Sequence, residues 1–334
     1  MSASRWSSAA LVGAAGLVLA ACQSDNPTGV PANATPPQEF QVTSKDYAGA
    51  RIATGNNKPF YQNAIAEKKY LGNRTAYSKN IVQSPWDLTW NGGPVVTQAT
   101  QWNIYINCGT TPAQCWGTGA ISPKTFLGDF QGSSMIGISG QYLHEDPTGR
   151  FATINELSAN VPFATDSVTG TPTMTANDLF AILHAASLFT TKSGYNQIYH
   201  IFIPQGTDMC TAPGNCYSPD NFNTFVFCAF HGFADFDTTG HYHVLYTMEP
   251  YQFVPGCDAV NQPRVIDATA STLSHEFTEL TTDPDLDAWF NDLTGNEIGD
   301  LCFTFRNPEQ VGLRSYVIQE EYSNTVHACT DGAF

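Results

Sequence analysis

Basic residues are scarce in this chain: 14 lysines and arginines stand against 30 aspartates and glutamates, for a net charge of -16. Binding a polyanion needs a cationic face that releases counterions, so a nucleic-acid partner is excluded. The scarcity is uneven. Half of the lysines and arginines fall between Lys45 and Lys79, whereas the stretch from Val265 to Asp300 has none and is rich in carboxylates. Clustered carboxylates repel unless a cation sits among them, which makes that stretch a candidate for a divalent metal as well as for a solvated acidic face. No CxxC spacing occurs among the nine cysteines, which disfavours a thiolate zinc knuckle and a thioredoxin-type redox pair. After the first residues no apolar run approaches the roughly 20 residues of a transmembrane helix, and there is no internal repeat.

What is present begins with an export pattern. Arg5 precedes an apolar run from Ala9 to Ala21, and Leu19-Ala20-Ala21-Cys22 has the small residues that precede a lipidated cysteine. Residues 1–21 read as a lipoprotein signal peptide and Cys22 as the lipid anchor, with the membrane reached only through that lipid. The expected location is the extracytoplasmic side of a bacterial cell envelope. Gln23 stands where an Asp commonly retains lipoproteins at the inner membrane, so in a Gram-negative host the outer membrane is expected. Residues 22–46, broken by Pro27, Pro31, Pro36 and Pro37, read as a disordered tether. One globular domain then fills 47–334.

Beyond Cys22 there are eight cysteines: Cys108, Cys115, Cys210, Cys216, Cys228, Cys257, Cys302 and Cys329. In an exported chain an even number predicts four disulfides. Cys108 with Cys115 and Cys210 with Cys216 are the expected small loops, and Cys302 with Cys329 is expected beside the acidic segment. Strands are expected at Trp102–Ile106, Ile198–Ile203, Thr224–Phe230 and His241–Tyr246. A capping-box start at Thr175-Ala-Asn-Asp178, followed by Leu179, Ile182, Leu183, Ala186 and Phe189, predicts a core helix. Its His184 has no acidic partner at i+4 and reads as a packed or surface histidine. The fold class is α+β: a mixed, largely antiparallel sheet with a motif-bearing, zincin-like helix, stapled by disulfides.

That helix is expected from about Asp267 to Thr282. Ser274-His275-Glu276-Phe277-Thr278-Glu279 is an HExxE pattern, which puts His275 and Glu279 on one face, opposite an apolar stripe of Ile266, Ala270, Leu273, Phe277 and Leu280. One face should pack and the other should line a cleft. In HExxH metallohydrolases positions one and five grip zinc, and the intervening Glu acts as general base on water. Here His275 and Glu279 are the candidate ligands and Glu276 the candidate base. Glu297 is the candidate third ligand, at a distance similar to the NExxxD segment of thermolysin-like proteases. Asp300 is expected to accept a hydrogen bond from His275 and set its tautomer, or to serve as an alternative ligand. Zinc is the first expectation for the metal, while calcium, manganese or iron would tolerate so oxygen-rich a set better. His231, His241 or His243 could instead complete a zinc shell, although the strand pattern also allows His231 as a core histidine beside Phe225, Phe227 and Ala229.

An ordered set of segments resembles the EXORDIUM, or phosphate-induced protein, family, whose plant members are secreted proteins linked to cell expansion. The set runs from Gly92-Gly93-Pro94-Val95 through Phe227-Cys228-Ala229-Phe230-His231-Gly232 to His275–Glu279, Asp283-Pro284, Ala288-Trp289 and Glu297-Ile298-Gly299-Asp300-Leu301-Cys302. The resemblance implies that HExxE and the ExxDLC segment belong to the family pattern. The chain departs from the plant pattern in its anchor signal and at Asp283, where plant members tend to carry Asn. Two functions are therefore expected: a zincin-like hydrolase acting on peptides, or a non-catalytic surface protein whose structural metal supports binding of glycans or wall polymers.

Overall fold

The computed structural model describes residues 38–49, 85–109, 115, 122–218, 227–236, 243–252, 257, 265–302 and 309–332. Cys22, the signal run, Phe225 and His241 lie outside them. Among the described residues no helix is long and apolar enough to cross a membrane.

The fold is α+β with mixed sheets. Its centre is a six-stranded sheet whose spatial order is Gln38–Gln41, Ile154–Asn160, Thr100–Ile106, Gln197–Phe202, His243–Glu249 and Phe230–Asp235. Four of the five pairings are parallel, and only the last, between His243–Glu249 and Phe230–Asp235, is antiparallel. The expected antiparallel character thus holds for the small peripheral hairpins and fails for the main sheet. The reason lies in the connections: the central strands are buried on both faces, as parallel strands joined by helical crossovers are, and near-continuous burial hides the direction of pairing.

Helix Ala176–Thr190 covers one face, packing Leu179, Ile182, Leu183 and Ala186 against Ile104, Leu157, Tyr199, Ile201 and Tyr246. Its capping box is formed: the Thr175 side chain accepts from the Asp178 N–H, and the Asp178 carboxylate accepts from the Thr175 N–H. Phe189, expected in the core, is half-exposed and stacks on Phe40 instead. His184 is engaged by Asp46 at 3.1 Å. Phe40 anchors strand Gln38–Gln41, so order begins inside the segment read as tether, well before residue 47.

The other face carries helices Pro123–Phe130, Ser134–Leu143 and Val265–Thr282. The last is the expected motif helix. Phe277 on its apolar stripe meets Phe151 and Phe130 edge-on, with ring centroids 5.1 and 6.1 Å apart. Strand alternation decides what faces this helix. In His243–Glu249, Val244, Tyr246 and Met248 join the opposite core, leaving Thr247 and Glu249 toward the helix; in Phe230–Asp235, Phe230 and Ala234 join that core and His231 turns to the helix. Register then lines up a buried polar row across four strands: Asn103 beside His200, His200 beside Thr247, Thr247 beside His231. Of the strand expected at Thr224–Phe230, residues 224–226 lie outside the described residues, and pairing with Met248 starts at Phe230. Phe227 packs in the core without joining the ladder.

All eight cysteines pair as Cys108–Cys115, Cys210–Cys216, Cys228–Cys257 and Cys302–Cys329. Two of these bridges bracket the candidate site. Cys228 lies three residues before His231, and Cys302 two residues after Asp300.

Candidate metal centre

The motif helix is buried on every side. Ile266, Ala270, Leu273, Phe277 and Leu280 are covered as expected, but so are Thr272, His275, Glu276, Thr278 and Glu279. Among the described residues, no side of this helix lines an open cleft. Its polar face is covered by strands His243–Glu249 and Phe230–Asp235 and by the chain around Val317–Ser323, which brings Gln319 and Glu321 into the interior.

His275 Nε2 lies 3.2 Å from Glu279 Oε1, across one helical turn. Asp300 completes a trio with these two, its ligand-type atom and theirs all lying within 4.8 Å of one another. The Asp300 N–H donates to Glu279 Oε1 at 3.0 Å. Asp300 is the partly exposed member, so it marks the solvent side of the cluster. A second trio comprises His231, Glu276 and Glu279. There His231 Nδ1 is 3.1 Å from Glu276 Oε2 and 3.5 Å from Glu279 Oε2.

Glu297 is placed differently from its expected role. It belongs to neither trio, and its Oε2 stands 3.8 Å from Nε2 of His231. The turn explains this: the Glu297 N–H donates to the Asp300 carboxylate at 3.3 Å, a tight four-residue loop that brings Asp300 forward and Glu297 to the flank. His275 has a further partner from outside the expected set. Gln319 Nε2 is 2.9 Å from Nδ1 of His275 and donates to the Gly299 carbonyl at 2.8 Å. Gly299 presses against the imidazole so closely that a Cβ there would come within 2.3 Å of Nδ1. His243 is held by Asp235 at 2.7 Å and Asp285 at 3.0 Å, on both ring nitrogens.

Two further carboxylates, absent from the sequence-based set, complete the environment. Glu249 accepts from the Thr272 hydroxyl at 3.0 Å, and Glu321 is buried with both oxygens lacking a hydrogen-bond partner. Glu249 ends one strand and Glu321 begins another, and neither carries a local motif; only the fold brings them to the helix.

The electrostatics follow from so many acids in a dry space. Burial raises Glu249, Glu297 and Glu321 well above the usual carboxylate range, assisted by Glu276 at Glu249 and by Glu279 and Asp283 at Glu297; at Glu321 His275 opposes burial without overcoming it. Burial and the charge of Glu279 lift Asp300 to about 7. Burial opposes charge on the histidines, but Glu276 and Glu279 outweigh it and raise His231 to about 9, while Glu279 leads the groups that raise His275 to about 10. Glu279, between the two imidazoles, is held well below its ordinary value despite burial. His200, lacking a carboxylate beside it, is pushed by burial down to about 3.

No protein-family model, curated protein or solved structure matches the chain.

Proposed function

We propose that the chain is an envelope-anchored, EXORDIUM-like metalloprotein whose HExxE helix carries a zincin-like hydrolytic centre acting on peptide bonds. The observation that carries this reading is the convergence of His275, Glu279 and Asp300 within 4.8 Å, backed by Glu276 Oε1, which is buried without a hydrogen-bond partner. Buried polar atoms are normally paired, and leaving one unpaired costs about 1–3 kcal/mol. A divalent cation satisfies several at once. Zinc suits the histidine, and manganese or calcium suits the oxygens.

A divalent ion here polarises a carbonyl and makes water more acidic. The residues supply the rest. Glu276 Oε1, 4.0 Å from His275 Nε2 and free of other partners, is the base positioned to take a proton from water. Ligation through Nε2 of His275 puts the ring proton on Nδ1, where Gln319 meets it with Oε1 once its amide turns over; Oε1 has no partner in its present placement. The partly exposed Asp300 is the side from which substrate reaches the centre.

Burial of the motif helix on all sides supports a second reading, a structural metal in a protein that binds glycans or wall polymers non-catalytically. Glu279→Ala and Glu276→Gln separate the two. In the hydrolase, Glu279→Ala loses metal, while Glu276→Gln keeps metal and loses about 10²–10⁴-fold in peptide hydrolysis. In the structural case, Glu279→Ala lowers metal content and thermal stability together, and wild type and Glu276→Gln are equally inert toward peptides. Purified protein without stoichiometric metal, and with stability unaltered by either substitution, contradicts both.

A further inference from the structure

The two histidines stand on opposite sides of the same two carboxylates. Glu279 presents Oε1 to His275 Nε2 at 3.2 Å and Oε2 to His231 Nδ1 at 3.5 Å. Glu276 repeats the pattern, with Oε1 4.0 Å from His275 Nε2 and Oε2 3.1 Å from His231 Nδ1. Each carboxylate is thus split between two nitrogen donors, one oxygen to each.

Neither trio of ligand-type atoms contains both histidines; what they share is Glu279. Ligands on one ion with bonds of about 2.1 Å lie at most about 4.2 Å apart, so an ion seated in one trio does not reach the other histidine. Within this cluster Glu276 Oε1 and His231 Nε2 are buried without a hydrogen-bond partner. Helix geometry makes the arrangement natural, because His275 and Glu279 at i and i+4, with Glu276 three residues before Glu279, project from adjoining strips of one helix surface.

We propose that the centre is dinuclear: one divalent ion held by His275, Glu279 and Asp300, a second held by His231 and Glu276, with the Glu279 carboxylate bridging them. This rests on the reading of the HExxE helix as a metal centre, and it extends Glu276 from base to ligand of the second ion, so that Glu276→Gln keeps the ion on His275, Glu279 and Asp300 and weakens only the second. Glu297 takes an outer role: its Oε2 stands 3.8 Å from Nε2 of His231, on the side where a proton on Nε2 would leave Nδ1 for the ion. Paired ions about 3.5–4 Å apart clamp both the attacking and the departing oxygen of a displacement, so the substrate class suited to the centre widens from peptides to phosphoesters.

The test uses the full, disulfide-intact chain, stripped with chelator and titrated with Mn(II) or Zn(II). Two ions per chain by elemental analysis are expected, with a spin-coupled Mn(II) spectrum in place of the isolated six-line one. His231→Gln should reduce the count from two to one and restore the six-line spectrum, leaving the ion on His275, Glu279 and Asp300. A wild type that saturates at one ion with an isolated spectrum overturns the dinuclear assignment and leaves the metal centre standing. A wild type that binds neither metal overturns both. The spectrum of the wild type decides the matter even if His231→Gln does not fold.

Discussion

Gln319 rests on Nδ1 of His275 at 2.9 Å while its same nitrogen donates to the carbonyl of Gly299 at 2.8 Å. This contact fixes the ring plane of His275, and with the amide turned over Oε1 accepts from Nδ1–H and sets the tautomer that leaves Nε2 for an ion. Gln319→Ala is therefore expected to lower metal affinity by about 10–100-fold, read by competitive titration of stripped protein with Zn(II), and with only a modest change in melting temperature. Unchanged affinity would remove Gln319 from the centre.

Gly299 supplies the complementary constraint. Its missing side chain is where the His275 ring lies, so Gly299→Ala must push the imidazole or the 297–300 turn aside. A loss of about 1–3 kcal/mol in unfolding free energy is expected from overpacking, with weaker metal binding alongside. Gly137→Ala, in helix Ser134–Leu143 with open space around its Cα, is the control and should gain about 0.5–1 kcal/mol. Equal behaviour of the two variants in denaturant melts would contradict the contact.

The metal-free protein should become less stable as pH rises from about 5 to 9. Glu249, Glu297, Glu321 and Asp300 have folded values raised above their unfolded ones, Asp300 to about 7. The folded state therefore holds more protons than the unfolded state in this window, and stability falls with pH. The histidines act in the same direction, since values raised to about 9 and about 10 give a contribution complete below their ordinary range and lost toward pH 10. Glu279 opposes them only in acid, where its lowered value matters. Bound divalent ions replace those protons, so chelation should cost more stability at pH 8 than at pH 5. Calorimetry with and without chelator checks the sign, and a larger chelator effect at pH 5 would refute it.

The motif helix and the helix at Ala176–Thr190 were legible because their signals are local: a 3.6-residue period, a capping box and ligand-type residues one turn apart. His275 and Glu279 followed directly from that spacing. Glu249, Gln319 and Glu321 were not legible, since a polar residue in a strand or loop has no period that reveals what it faces. Direction of strand pairing was lost for a related reason. Residues such as Ile104, Ile201 and Leu245 are covered on both faces of the sheet, and their runs look alike whether the neighbour runs parallel or antiparallel. Glu297 and Asp300 could not be ranked by spacing alone, because the turn closed by the hydrogen bond from Glu297 N–H to the Asp300 carboxylate decides which of them stands beside His275.

The disulfides should differ in their effect on metal. Replacing both Cys302 and Cys329 by serine is expected to cost about 2–5 kcal/mol and to weaken metal binding, because the bridge ends two residues from Asp300. Replacing Cys210 and Cys216, which close a loop of separation 6 on a peripheral sheet, should leave metal content unchanged. Mass spectrometry of the non-reduced chain should find none of the eight cysteines free. Two alkylatable thiols would break the framework.

Cys22→Ser should shift the exported protein from the membrane to the soluble fraction. A single residue carries the whole attachment in this reading, so partial retention is not expected, and unchanged fractionation would sink it.

The buried row formed by Asn103, His200, Thr247 and His231 has a bearing on how the chain finds its fold. A slip of one residue in any of the three pairings would turn that strand's polar member into the apolar layer occupied by Ile104, Ile201 and Tyr246. It would also strand the hydrogen bonds of His200 to Thr247 and Gln101, at 2.9 and 2.8 Å. Wrong alignments are thereby penalised at each successive strand, and the sheet rejects mispaired intermediates as it assembles.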